Sequence, residues 1–259
     1  MKVDLHNHTP RCNHATGTPR EYIEQAIKER IDIYGFSDHA PMDFDPEYRM
    51  KFEDMQDYEQ EILQLKDEFK DKIDIRLGYE VDFLNGYIDD RVLNANVDYL
   101  IGSVHFIGDW GFDNPEFIGK YESQNIDDIW QKYFDAIEEM AKFGKFDIVG
   151  HLDLMKVFKY LPKKDIKLIA KNAIKAIKKS GMSVEINAAG YRKPIKEQYP
   201  SKELLQMCYE ANIPITFGSD AHAIEQVSFE YNQALSLAKE VGYSECVAYV
   251  NKNMQLFKI

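Results

Sequence analysis

Along the chain, short runs of β-branched and aromatic residues alternate with longer stretches in which apolar positions recur every three or four residues. The short runs read as strands over Val3–His6, Ile33–Ser37, Ile73–Glu80, Val97–His105, Phe146–His151, Ser183–Asn187 and Ile215–Ser219. Between them, one helical stretch starts at Ile126 and carries Ile129, Tyr133, Ile137 and Met140 on one face. Another aligns Ile166, Ile169, Ala173, Ile174 and Ile177. Such alternation marks βα units around a parallel sheet. Seven strand signals within residues 3–219 predict an α/β fold, a closed or nearly closed barrel related to the eight-stranded kind with one unit missing.

Composition changes this picture little. The 259 residues are 44% hydrophobic, enough for a sizeable core, and no Gly/Ser/Pro-rich run divides them, so residues 1–259 read as a single domain. No run of 18 apolar residues offers a membrane span. The opening "MKVDLHNH" has acid and histidine where a secretion signal needs an apolar run, so a cytoplasmic location is expected. Cys12, Cys208 and Cys246 form no CxxC pair, against a disulfide framework or a zinc ribbon. A net charge of −12 disfavours duplex binding and leaves one small anionic substrate open. Lys164, Lys167, Lys171, Lys175 and Lys178 read as the solvated back of the second helix.

The histidines change it a great deal. All seven lie at or just beyond the end of a predicted strand: His6, His8 and His14 with the first, then His39, His105, His151 and His222. In a parallel barrel every strand's carboxyl end opens on the same mouth. Side chains alternate along a strand, so His6 and His8 share a side and form a two-nitrogen clamp. Glu80 and Asp220 are placed in the same way. A lone strand-end histidine is commonly a hydrogen-bonded structural residue, but seven on one rim with two carboxylates predict a metal site. Mixed nitrogen and oxygen donors suit Zn, Fe or Mn better than Mg or Ca. Cys12 is either a soft extra donor or an incidental neighbour.

The segments "DLHNHTPRCNH", "FSDHAP", "GYEVDF", "GSVHF", "GHLDL", "EINAAGYRK" and "FGSDAH" resemble the polymerase and histidinol phosphatase (PHP) superfamily, in its stand-alone histidinol-phosphatase branch, over almost the whole chain. The resemblance implies a distorted seven-stranded, TIM-like β/α barrel with a trinuclear centre. One ion would take His6, His8, Glu80 and Asp220. Glu80 would bridge to a second, with His105 and His151, and a third would take His14, His39 and His222. It also implies a phosphomonoesterase that turns L-histidinol phosphate into histidinol and phosphate, in histidine biosynthesis.

Two ions about 3.5–4 Å apart can hold a bridging hydroxide for in-line attack on phosphorus. Arg192 is the candidate cation for the phosphoryl oxygens, its fork matching two at once. Ser103 could donate to phosphate or cap its own loop. Asp153 could protonate the leaving group or orient an imidazole, and Lys156 is a further phosphate candidate. Selectivity is expected from the segment after His105, where Trp110, Phe112 and Phe117 could stack on an imidazole and Asp109, Asp113 or Glu116 pair with an amino group. Alternatives are a PHP phosphoesterase acting on phosphotyrosine or nucleic-acid ends, an amidohydrolase, or a non-catalytic metal-binding protein. The amidohydrolase would usually supply a strand-end lysine, and Glu80 stands in that place.

Overall fold

A computed structural model describes every residue, Met1–Ile259. Its strands are β1 (Val3–Asp4), β2 (Ile33–His39), β3 (Asp74–Asp82), β4 (Tyr99–Ser103), β5 (Phe106–Ile107), β6 (Trp110–Gly111), β7 (Ile148–Val149), β8 (Ser183–Asn187), β9 (Ile215–Gly218), β10 (Glu245–Val250) and β11 (Asn253–Lys258). The helices are α1 (Pro19–Lys28), α2 (Met55–Phe69), α3 (Asp90–Leu93), α4 (Ile126–Phe143), α5 (Ile166–Ser180), α6 (Lys202–Glu210) and α7 (Tyr231–Val241). Seven strands form one parallel sheet in the order β1-β2-β3-β4-β7-β8-β9. Its edges meet: Leu5 N–H donates to Phe217 O at 2.9 Å and Asp220 N–H to His6 O at 2.7 Å. The predicted barrel of seven strands is therefore present in a single domain, with several strands shorter than their sequence signals, such as Val3–Asp4 and Ile148–Val149.

Local chemistry sets the helix ends. Thr18 and Glu21 form a capping box with Pro19 in the first turn of α1. α4 starts at the Asn125 cap and α5 at Asp165, and both stop at a left-handed glycine, Gly144 and Gly181. The five lysines of the α5 region are all exposed, opposite the buried isoleucines.

One large apolar cluster fills the layer between strands and helices, and a smaller one joins Val3, Ile33, Tyr99, Ile101 and Ile148 to α7 and β10. The antiparallel β10–β11 hairpin was not foreseen. It closes the end where the strands begin: Tyr249 Oη is hydrogen-bonded to Asp147 O and Ser183 Oγ, both at 2.9 Å, and Asn251 N–H donates to Asp98 Oδ1 at 3.1 Å. The mouth is left to the strands' carboxyl ends.

Candidate metal centre at the barrel mouth

β1 and the segment after β9 are zipped together beyond their formal ends. His8 N–H donates to Ala221 O at 3.0 Å, and Asn7 bridges Ala221 in parallel. This sets the His6-x-His8 pair beside the Asp220-x-His222 pair. His39 and Glu80 are register partners on β2 and β3. The backbone at His151 (φ 23°) and Asp220 (φ 52°) lies in the left-handed region, conformations that cost about 1–3 kcal/mol each for such residues.

Glu80, 1% exposed, is the hub. Its Oε2 lies 3.0 Å from His39 Nδ1, 3.3 Å from His6 Nε2 and 3.7 Å from His8 Nε2. Its Oε1 lies 2.9 Å from His151 Nε2 and 3.7 Å from His105 Nε2. Asp220 Oδ1 is 3.2 Å from His8 Nε2, 3.4 Å from His222 Nδ1 and 3.9 Å from His6 Nε2. His14, His39 and His222 form a third group whose ligand atoms lie within 4.8 Å of one another. All nine expected side chains converge.

Hydrogen bonds aim the imidazoles. Nδ1 of His14 is tied to Cys12 O at 2.8 Å, of His222 to Asp220 O at 3.1 Å, and of His105 to Asp82 Oδ1 at 2.5 Å. With Nδ1–H donating outward, the Nε2 lone pair faces the centre. Asp82 is itself held by Arg49 at 2.6 Å. Asp38 Oδ1 stands 3.4 Å from His8 Nδ1.

Burial would raise the Glu80 carboxyl, but His6 and His39 overcome it and hold the group well below the usual carboxylate range. Burial pushes His39 down to about 4. Burial also opposes protonation of His105, yet the Asp82 charge carries it up to about 10. The nitrogens His6 Nε2, His8 Nδ1 and Nε2, His39 Nδ1, His151 Nδ1 and His222 Nε2 are buried without a hydrogen-bond partner. Buried polar atoms are normally paired. Of these nitrogens, His6 Nε2, His8 Nε2 and His39 Nδ1 face the Glu80 and Asp220 carboxylates across 3.0 to 3.9 Å, gaps that divalent cations would satisfy, so the donor set fits a multinuclear site of the Zn, Fe or Mn type. Cys12 Sγ is within ligand distance of the His8–His222 pair but donates to Thr9 O at 3.1 Å, and burial pushes its thiol up, which keeps it protonated.

The centre opens into a cleft of about 650 Å³ lined by Arg192, Asp113, Glu116, Phe117, Tyr48 and Lys193 among others. Several expectations are corrected here. Trp110 is 3% exposed and packs edge-on against Tyr121, and Phe112 packs against Tyr133, so both are core residues. Ser103 donates to Glu80 Oε1 at 2.7 Å, which commits its hydroxyl to the hub rather than to phosphate. Lys156 is 2% exposed, its ammonium shared by Asp153, Glu197 and Gln198 O behind the cleft. Asp153 accepts from Lys156 and Ser201 N–H, with no hydrogen bond to an imidazole. Asp82 and Arg49 were missed, although Asp82 shares a strand face with Glu80 two residues away and alternation alone could have found it.

The PHP domain family matches residues 4–189, ending short of Asp220 and His222. A probable histidinol-phosphatase of Deinococcus radiodurans is 39% identical over 257 residues, 97% of this chain and 98% of that one. The Bacillus subtilis histidinol-phosphatase is 29% identical, covering 91% and 98%. The solved histidinol phosphate phosphatase of Lactococcus lactis, complexed with Zn, L-histidinol and phosphate, superposes with a TM-score of 0.81 at 25% identity over 98% of both chains.

Proposed function

The chain belongs to the PHP domain family, and from that premise we propose that it is a metal-dependent histidinol-phosphatase, hydrolysing L-histidinol phosphate to L-histidinol and phosphate. The observation that carries this reading is the set of buried, unpartnered imidazole nitrogens around Glu80 and Asp220 in a chain 39% identical to a probable histidinol-phosphatase.

His6, His8, Glu80 and Asp220 would hold one ion, Glu80, His105 and His151 a second, and His14, His39 and His222 a third. Bound there, such ions supply Lewis acidity to phosphoryl oxygens and a water acidic enough to ionise near neutral pH. Arg192 neutralises the charge that grows on the non-bridging oxygens. Its Nη2 donates to Ser219 O at 2.9 Å and Asp220 O at 2.8 Å, and its plane lies over Phe229 at 5.1 Å. That anchoring leaves Nη1 without a partner, free for one phosphate oxygen. Arg49 has no such freedom, since Asp45 and Asp82 occupy it. Asp113 and Glu116, with no ion-pair partner of their own, suit an amino group at the outer cleft, and Phe117 offers a face for an imidazole. Residues 1–259 act as one unit, and the reduced, buried cysteines suit a cytoplasmic setting.

Steady-state phosphate release from L-histidinol phosphate and a panel of other monoesters, with Mn, Fe and Zn in turn, tests the reading. Histidinol phosphate should lead the panel in kcat/KM. No release with any metal would make the chain a binding protein, and preference for phosphotyrosine would move it to another branch of the family.

A further inference from the structure

Glu185 sits in the middle of β8, 1% exposed, between Val184 and Ile186 and the only charged residue of the strand. No lysine or arginine reaches it. Its three hydrogen-bond donors all belong to, or lead to, the metal centre. Oε1 accepts from His6 Nδ1 at 2.8 Å. Oε2 accepts from the His151 backbone N–H at 2.9 Å and from Asn187 Nδ2 at 3.0 Å. The Asn187 amide in turn donates to Asp220 Oδ2 at 3.2 Å. One buried carboxylate thus touches His6 directly, fixes the left-handed backbone of His151, and reaches Asp220 through one amide. Room for it is made by Gly218 on the neighbouring strand: a Cβ there would fall 1.9 Å from Glu185 Oε1 and 2.6 Å from His6 Cβ. The two strands are packed around this carboxylate.

We propose that Glu185 is the positioning residue of the metal centre: it fixes the His6 tautomer with Nε2 free for a cation, and sets His151 and Asp220 in the same step. The inference rests on the metal-dependent reading above. Physically, a carboxylate offers two acceptor oxygens to three donors, whereas an amide offers one. Glu185→Gln therefore leaves a buried donor facing a donor, and His6 relieves this by moving its proton to Nε2, which removes a ligand lone pair.

The test uses purified holoenzyme reconstituted with Co2+. The wild type should bind more than one ion per chain and show the visible bands of tetrahedral or five-coordinate cobalt. Glu185→Gln should bind Co2+ about 10–100-fold more weakly, with altered bands and kcat reduced more than KM. Asn187→Ala removes the arm to Asp220 and one of the three donors to Glu185 but leaves the His6 and His151 contacts. It should show a smaller loss in Co2+ affinity and covers the case in which Glu185→Gln does not fold. Because Asn187 also caps the turn that carries Arg192, Co2+ affinity and bands, not turnover, are the readout for this variant. Unchanged stoichiometry, affinity and bands in both variants, with only a lower melting temperature, would overturn the positioning role and leave the phosphatase reading intact. A wild type that binds no Co2+ yet hydrolyses the monoester would instead overturn the metal-dependent reading itself.

Discussion

The two ends of the barrel are built from the same strands and differ in what they leave unpaired. At the floor, Asp98 accepts from Leu77 N–H, Asn251 N–H and Lys66, and the β10–β11 hairpin closes over Ile33, Ile101 and Ile148. Asp98 is paired there, and apolar side chains find neighbours. At the mouth, six imidazole nitrogens are buried without a partner, and His151 and Asp220 hold left-handed backbone. The hairpin and its apolar contacts stabilise the floor, whereas the unpartnered imidazoles all lie at the mouth, which marks that end as the candidate site.

Four substitutions would break or sharpen this contrast. Glu80→Ala removes the carboxylate that five imidazoles surround, and should abolish turnover and lower metal content by at least one ion, read by phosphate release and elemental analysis. Retained activity would mean that Glu80 bridges nothing. Arg192→Ala should lower kcat/KM by about 10²–10³-fold while metal content stays at the wild-type level. A loss of metal with it would assign the arginine to holding Asp220 rather than phosphate.

At the floor the expectation reverses. Ile33→Ala should cost about 2–4 kcal/mol of stability by denaturant melting, with kcat/KM of the folded protein unchanged, and a kinetic defect would show that the two ends are coupled. The smallest effect concerns Asp147, whose Oδ2 accepts from Leu100 N–H at 2.8 Å. Burial pushes its carboxyl up to about 6 in the folded chain, from near 4 when unfolded. A raised carboxylate pKa means the folded state binds the proton more tightly, so the cost is present above pH 6 and is relieved as pH falls from about 6 towards 4. With solvent screening discounted, Asp147→Asn should stabilise the protein by about 1–2 kcal/mol at pH 7.5, and the gap to wild type should close below pH 4. A pH-independent gap would place the effect elsewhere.

Much of this was legible in the sequence, for physical reasons that also explain what was not. The seven barrel strands are buried on both faces, so each reads as a β-branched run. The nine converging side chains were visible because strand ends in a parallel barrel share one mouth. β11 was illegible because its residues are almost all exposed and polar positions carry little period. Trp110 and Phe112 were misread because an aromatic residue in a loop gives no sign of whether the loop folds back onto α4 or faces the cleft. Ser103, Asp153 and Lys156 sit beside the converging histidines in sequence, and only their contacts reveal that they serve Glu80 or each other. Glu185 did carry a signal: a charge in mid-strand, between valine and isoleucine, has to be paired with something buried.

The most direct measurement is metal content by elemental analysis on the same sample that is assayed for phosphate release, before chelation, after it, and after a divalent ion is restored. Three ions per chain are expected at full activity, with metal and hydrolysis lost together and recovered together. Full hydrolysis of histidinol phosphate by a sample shown to be metal-free would contradict it.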